Sequence, residues 1–147
     1  MIAPDLRMIV LNRRPTNRVL IADDHPVFRE SLRKVLDSND EISIVGEASN
    51  GNDCITMLIK LPPDIPLLDL RMPYKDGLTV LEEVNFDEHT TCVVILTAVK
   101  DDRLIFRAFG LGARGMALKQ TATDLLIESI QKVHSGEIWL HPPHSWF

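Results

Sequence analysis

The chain has 147 residues, of which 45% are hydrophobic and 25% are charged, and its formal net charge is −5 at pH 7. This length and composition fit one globular domain with an adequate core. The negative charge argues against a nucleic-acid surface, because such surfaces are basic. No apolar stretch approaches the roughly 20 residues that span a bilayer, so we predict a cytoplasmic protein without a membrane partner. Cys54 and Cys92 lack metal-ligand spacing and are interpreted as reduced thiols.

Residues 1–17 show no clear periodicity. They are interpreted either as a flexible N-terminal extension or as sequence upstream of a start at Met8. From Arg18 onward, strand and helix patterns alternate. Pro26 opens the first helix, since proline is favoured at a first helical position. The first three strands are expected at Arg18–Ala22, Ile42–Ala48 and Asp64–Asp69. The second helix is expected at Asn50–Lys60.

Pro66 lies inside the third predicted strand, where a missing N–H interrupts a ladder. We therefore expect that strand to be bulged or to start later than Asp64. The remaining elements are a turn at Pro73–Gly77 with a short helix after it, a strand at Thr91–Thr97, a helix at Asp101–Phe109 and a strand at Gly115–Leu118. Thr121 and Asp124 have the spacing of a capping box, which predicts that the last helix starts at Thr121.

Five βα units in sequence predict a parallel sheet with helices on both faces. Because crossovers are right-handed, few topologies remain. The five-stranded order 2-1-3-4-5 gives a flavodoxin-like (βα)5 fold, a doubly wound α/β architecture. In such a fold the ligand site lies at the carboxyl ends of the strands.

Acidic, hydroxyl and amino side chains follow four of the predicted strands. Asp23 and Asp24 follow the first strand, Asp69 ends the third, Thr97 ends the fourth and Lys119 follows the fifth. The carboxyl ends of parallel strands share one edge, so these groups are expected to converge there. Three carboxylates, a hydroxyl and an ammonium suit Mg²⁺ and a phosphoryl group.

Asp69 is the candidate nucleophile, because a carboxylate can form an aspartyl phosphate. Asp24 and Asp69 are the candidate Mg²⁺ ligands, with Asp23 acting through water. Lys119 and Thr97 are expected to bind phosphoryl oxygens. Taken singly, each residue has a structural explanation, and Asp24 alone is more simply a helix cap. Their occurrence together at successive strand ends favours the site.

The chain closely resembles the receiver domain of bacterial two-component response regulators over residues 18–140. The motifs that carry the resemblance are Asp23-Asp24-His25-Pro26, the run Asp69–Gly77, Thr97-Ala98, and Gly112-Ala113-Arg114-Gly115 leading to Lys119. The first and last motifs look most like the NarL/FixJ-type subfamily, which has LuxR-type output domains.

The resemblance implies that a sensor histidine kinase phosphorylates Asp69. It also implies Mg²⁺ as the cofactor, with the backbone carbonyl of Arg71 as a further ligand. Thr97 and Lys119 would then sense the phosphoryl group, and Met116 occupies a switch position that is often aromatic in the family. The family likeness makes the chain a signalling switch rather than an enzyme acting on external substrates.

Regulators of this type control transcription through self-association or release of a C-terminal helix-turn-helix domain. That DNA-binding domain is absent from this chain, and residues 141–147 are interpreted as a linker or tail. Ile138-Trp139-Leu140 resembles the start of the usual linker. We therefore favour a receiver cut from a longer regulator over a stand-alone one.

Two other function classes remain open. An Asp-nucleophile phosphohydrolase would share the aspartyl phosphate, but it needs an acid–base Asp two residues later, where this chain has Arg71. A phosphorylation-independent interaction domain is the other, and Pro66 and Met116 leave room for it. The Gly110–Gly115 match to a dinucleotide motif is rejected, because it follows a helix and precedes a strand. His25 is interpreted as a loop or first-turn residue without a chemical role.

Overall fold

The computed structural model describes residues 17–84, 86, 91–98 and 100–141. The predicted N-terminal extension, apart from Asn17, lies outside these residues, as does most of the predicted tail. The strands are β1 (Asn17–Ala22), β2 (Ile42–Ala48), β3 (Ile65–Asp69), β4 (Val94–Thr97), β5 (Gly115–Leu118) and β6 (Trp139–His141). The helices are α1 (Pro26–Asp37), α2 (Gly51–Lys60), α3 (Gly77–Glu83), α4 (Asp102–Gly110) and α5 (Lys119–His134).

All the strand pairs are parallel, and the sheet has the order β2-β1-β3-β4-β5-β6. The predicted order 2-1-3-4-5 is therefore confirmed, and the structure adds a sixth strand beside β5. The sequence predicts that Ile138-Trp139-Leu140 starts a linker, but the sixth strand covers Trp139–His141. These residues pair with β5 in register, with Gly115 opposite Trp139 and Ala117 opposite His141.

The sheet separates two hydrophobic clusters, one on each face. One cluster takes its helical side chains from α2, α3 and α4, and the other takes them from α1 and α5. Every residue of β3 is buried, because this strand lies in the middle of the sheet and both of its faces are covered. This arrangement fixes the carboxyl end of β3 in the centre of one edge, where a ligand site is expected.

Pro66 is accommodated without a bulge in β3. The strand begins at Ile65, and its register with β1 runs without a break through the pair of Pro66 and Leu20. Pairing with β4 starts only at Leu67, opposite Val94. No pair of the β3–β4 register therefore includes the proline, which stands at the start of the strand where a missing N–H is tolerated. Of our two expectations, the later start is correct.

The predicted start of the last helix is wrong. Helix α5 begins at Lys119, and its N-cap residue Leu118 has no side chain that caps the helix. The Thr121 hydroxyl donates to the Leu118 carbonyl at 3.3 Å instead of accepting a bond from the first turn. The end of α4 follows the prediction more closely, since the helix stops at Gly110 and Gly112 has a φ of +111°.

Both cysteines are free thiols, as predicted. Cys54 is buried in the sheet–helix core, and its burial raises the pKa of the thiol to about 12. Burial also raises the pKa of Cys92. Among the described residues, none of the helices combines the length and apolarity needed to cross a membrane.

Candidate functional site

Three strand ends bring two carboxylates and an ammonium into contact. Asp23 directly follows β1, Asp69 ends β3, and Lys119 directly follows β5. The Lys119 Nζ atom lies 2.6 Å from Asp23 Oδ2 and 3.0 Å from Asp69 Oδ2. The side chains of Asp23 and Asp69 are 1% and 3% exposed, and that of Lys119 is 12% exposed. The predicted convergence of these residues is thus present in the structure.

Thr97 and Asp24 lie at the same edge of the sheet. Thr97 is the buried last residue of β4, one position beyond Leu96, which pairs with Asp69. Asp24 is half-buried, and it does not cap α1: the N-cap residue is His25, and no side chain caps that helix. The capping explanation for Asp24 is therefore wrong, and its carboxylate stays within the acidic cluster.

Backbone groups hold the two buried carboxylates in place. The His25 backbone N–H donates to Asp23 Oδ1 at 2.8 Å, and the Arg71 backbone N–H donates to Asp69 Oδ1 at 3.1 Å. The Arg29 guanidinium donates to the backbone carbonyl of Asp23 at 2.6 Å, which ties the loop after β1 to helix α1. Each carboxylate keeps its second oxygen directed toward Lys119.

Gly77 lets the loop after β3 fold back onto the site. Its N–H donates to the Leu70 carbonyl at 2.9 Å, so the first residue of α3 lies against the backbone of β3. A Cβ at this position would stand 2.4 Å from the Asp69 carbonyl oxygen. Asp76 caps α3 by accepting from the Thr79 N–H at 2.8 Å. The Pro73–Gly77 segment therefore braces the backbone of the candidate phosphoacceptor.

The electrostatics of the site oppose a charge on Asp69. Burial is the main cause that raises the pKa of this carboxyl, and the neighbouring Asp23 charge adds to it. The Arg71 N–H and Lys119 lower the pKa but do not fully compensate. For Lys119, burial alone would lower the pKa, but contacts with Asp23 and Asp69 outweigh it and the pKa is raised. Lys119 therefore stays an ammonium.

The donor set fits a divalent cation. One ligand atom from each of Asp23, Asp24, His25 and Asp69 can be chosen so that all four lie within 4.8 Å of one another. Asp24 Oδ1 is buried and has no aligned hydrogen-bond donor, while Asp23 Oδ2 has the Lys119 ammonium as its partner at 2.6 Å. Buried oxygens that lack donors are costly unless a cation or water satisfies them, and carboxylate oxygens are ligands that Mg²⁺ prefers.

Sequence reasoning gave His25 no role, but its ring belongs to this cluster. His25 Nδ1 lies 3.1 Å from Asp23 Oδ1, 3.1 Å from Asp24 Oδ1 and 3.1 Å from Lys119 Nζ. Met116, the residue at the predicted switch position, is buried in β5 and packs in the core cluster with α2, α3 and α4. It lies level with Ile95 on one side and Leu140 on the other.

The model of the response regulator receiver domain matches residues 19–131 of the chain. The chain belongs to this receiver-domain family. It is 38% identical over 126 residues to the transcriptional regulatory protein YdfI of Bacillus subtilis strain 168, covering 86% of this chain and 59% of that protein. It is 33% identical over 125 residues to the response regulator VraR of Staphylococcus epidermidis, covering 85% of this chain and 60% of that protein.

Solved receiver domains have the same fold. The receiver domain of the putative response regulator NarL from Mycobacterium tuberculosis superposes with a TM-score of 0.77 at 31% identity, covering 84% of this chain and 99% of that one. The non-phosphorylated receiver domain of RcsB from Escherichia coli gives 0.78 at 27% identity, with 87% and 98% covered. These relatives confirm the NarL/LuxR-type assignment. The receiver chain spans only 59% and 60% of the YdfI and VraR lengths.

Proposed function

We propose that this receiver domain is switched by phosphorylation of Asp69, with Mg²⁺ as the cofactor. The observation that carries the proposal is the contact of Lys119 with both Asp23 and Asp69 at the carboxyl edge of the sheet. A solvent-shielded carboxylate beside a second carboxylate and a fixed ammonium is suited to accept a phosphoryl group. The proposed donor is the phosphohistidine of a sensor histidine kinase, consistent with the family and a cytoplasmic location.

In the proposed transfer, a carboxylate oxygen of Asp69 attacks phosphorus while the phosphorus–nitrogen bond of the donor breaks and the imidazole leaves. Asp23, Asp24, Asp69 and the Arg71 carbonyl would hold the Mg²⁺, which neutralises phosphoryl oxygens when bound. Lys119 supplies a fixed positive charge for another phosphoryl oxygen. Thr97 would donate its hydroxyl to a third oxygen.

The raised pKa of Asp69 fits this role, because a carboxyl with a higher pKa is a stronger nucleophile once it is ionised. The backbone N–H of Arg71 holds one Asp69 oxygen, so the other is the oxygen that reacts. Lys119 contacts that second oxygen at 3.0 Å, and it would have to move aside or shift to the incoming phosphoryl group. This required movement is the proposed origin of the conformational switch.

The proposed output is control of transcription, through self-association or through a DNA-binding segment outside this chain. Its support is that YdfI is named a transcriptional regulatory protein and is longer than the matched region. A phosphohydrolase is less well supported, because the position two residues after Asp69 holds Arg71, which cannot act as a carboxylic acid–base. Met116 would take part in the switch by repacking, since its unbranched side chain adapts easily.

Intact-mass spectrometry after incubation with acetyl phosphate and Mg²⁺ tests the proposal. We expect the wild-type chain to gain the mass of one phosphoryl group and Asp69→Asn to gain none. Asp124→Asn is the matched control, because Asp124 is an exposed carboxylate on α5 and its loss should leave labelling unchanged. Labelling of Asp69→Asn at the wild-type level would overturn the assignment.

A further inference from the structure

The Lys119 ammonium lies against an aromatic ring as well as against the two carboxylates. Its Nζ atom stands over the ring of Phe28, 4.9 Å from the ring centroid. Phe28 is in the first turn of α1 and Lys119 is the first residue of α5, so the contact joins two helices that cover the same face of the sheet. A cation at this distance from a ring face is attracted by the negative charge of the π-electrons.

Burial strengthens this contact. The Lys119 side chain is 12% exposed, and Phe28 is half-buried and packs against the hydrophobic cluster beneath α1 and α5. The attraction between a cation and a ring grows when water is kept away from the cation. Because the ring is anchored in the cluster, it presents a fixed surface to the ammonium, whereas the long lysine stem alone would leave the ammonium free to move.

Both carboxylates that contact Lys119 would change partners during the proposed transfer. Asp69 Oδ2, 3.0 Å from Nζ, is the oxygen that would react, and Asp23, whose Oδ2 lies at 2.6 Å, would become a Mg²⁺ ligand. A third polar contact is His25 Nδ1 at 3.1 Å, and that side chain is 64% exposed. The Phe28 ring neither binds a metal ion nor reacts. Its contact with the ammonium therefore persists while the carboxylate contacts loosen.

We propose that Phe28 is a positioning residue for the phosphoryl transfer, whose ring holds the Lys119 ammonium beside Asp69 while that carboxylate reacts. The inference rests on the proposed function and adds a part of helix α1 to it. An ammonium that is already in place stabilises charge on the phosphoryl oxygens without being ordered again, which lowers the barrier. An aliphatic side chain would fill much of the same space but lacks the negative ring face.

The initial rate of labelling by acetyl phosphate, measured by intact-mass spectrometry at saturating Mg²⁺, tests the proposal. We expect Phe28→Leu to slow labelling roughly three- to tenfold, and Phe28→Tyr, which keeps the ring face, to stay within about twofold of the wild type. Phe86→Leu is the matched control, because Phe86 is also half-buried but packs against the cluster on the other face of the sheet, and its loss should leave the rate unchanged. A wild-type rate in Phe28→Leu, or equal slowing in Phe28→Leu and Phe28→Tyr, would overturn the inference.

A fluorinated ring separates attraction from packing. Replacing Phe28 by a trifluorinated phenylalanine nearly preserves the shape of the ring but withdraws negative charge from its face. We expect this variant to be labelled as slowly as Phe28→Leu, because the ammonium is no longer attracted to the ring. A wild-type labelling rate in the fluorinated chain would mean that Phe28 acts through packing alone, contrary to the proposal.

Proton NMR of the metal-free chain gives a readout that does not involve labelling. Protons above an aromatic ring are shielded, so the Lys119 ammonium resonance should move downfield in Phe28→Leu and stay in place in Phe28→Tyr. An unmoved Lys119 resonance in Phe28→Leu contradicts the contact. The two proposals fail in different ways. Absent labelling of the wild type counts against the proposed function, whereas normal labelling at a rate independent of Phe28 counts only against the positioning role.

Discussion

The surroundings of Asp69 disfavour a negative charge on its carboxyl. Its side chain is almost completely buried, and the second buried carboxylate, Asp23, shares the same ammonium. The net result is a raised pKa, with burial as the main cause. An ionised carboxylate held in this way lowers the stability of the metal-free fold, as is common where function and stability compete.

This conflict predicts that Asp69→Asn stabilises the metal-free protein at neutral pH. A carboxyl whose pKa is raised by folding favours the fold when protonated, and that contribution is lost as the pH rises through its folded pKa. The neutral amide avoids this loss. We expect a melting temperature about 2–4 °C higher, the shift that about 1 kcal/mol produces in a domain of this size.

Thermal unfolding followed by circular dichroism in chelator-containing buffer, over a series of pH values, checks the prediction. The difference between Asp69→Asn and the wild type should shrink as the pH falls through the pKa of Asp69. A difference of the same size at every pH would contradict a charge-based cause. Asp124→Asn, which removes an exposed carboxylate, is the control for general effects of net charge.

At the scale of single residues, the sequence predicts which side chains meet but not how they are oriented. Asp23, Asp69 and Lys119 could be placed together because each ends or follows a strand, and parallel strands share an edge. The orientation of His25 could not be predicted, since it depends on a ring torsion and on the backbone bond to Asp23. The signal that points to it is only its position between the acidic pair and Pro26.

At the scale of elements, the close packing of α3 on β3 depends on Gly77. Gly77→Ala would place a Cβ 2.4 Å from the Asp69 carbonyl oxygen and 2.8 Å from Leu70 Cα, so the backbone must shift. We expect a loss of about 1–3 kcal/mol in unfolding free energy, typical of overpacking. Because the displaced backbone carries Asp69, phosphorylation by acetyl phosphate should also become slower.

Gly110→Ala is the matched control for this prediction. A Cβ at Gly110, the last residue of α4, meets nothing within 4 Å. Urea unfolding and the labelling rate should therefore change little in Gly110→Ala and clearly in Gly77→Ala. If the two variants had similar stability and labelling rates, the close contact between α3 and β3 would not be what stability and phosphorylation depend on.

The elements that sequence reasoning misplaced are those whose bounds depend on distant partners. The helix start predicted at Thr121 was wrong, because α5 begins at Lys119. The Lys119 side chain contacts Asp23 and Asp69, which are distant in the sequence. Strand β6 was missed because three residues are too few to show an alternating pattern, and its partner is the open edge of β5. Strands such as β2, with a longer pattern of its own, were placed correctly.

At the scale of the whole molecule, stability depends on the central strand more than on the surface. Leu67 lies in β3, is fully buried, and packs in the cluster beneath α1 and α5. Leu67→Ala should lower the unfolding free energy by about 2–5 kcal/mol, because it leaves a cavity in a closely packed core. Ile59→Ala, at a residue of α2 that is 71% exposed, should change it by less than about 0.5 kcal/mol.

Urea denaturation of both variants measures the difference. A small effect of Leu67→Ala would mean that the two clusters relax to fill the space, contrary to the close packing seen around β3. The outcome also matters for interpreting site variants, since Leu67 stands two residues before Asp69 on the same strand. A core variant that unfolds would lose phosphorylation for reasons unrelated to chemistry.

The pairing of β6 with β5 places the segment that follows α5 next to the strand that leads to Lys119. Lys119 lies two residues beyond Ala117, and Ala117 is the last β5 residue paired with β6. The Trp139 N–H also donates to the Arg114 carbonyl at 2.9 Å, just before β5. If Lys119 is displaced when Asp69 reacts, the displacement passes along β5 to its paired strand β6, which follows α5. Strand β6 thus lies beside the strand that directly precedes Lys119, the lysine proposed to bind the phosphoryl group.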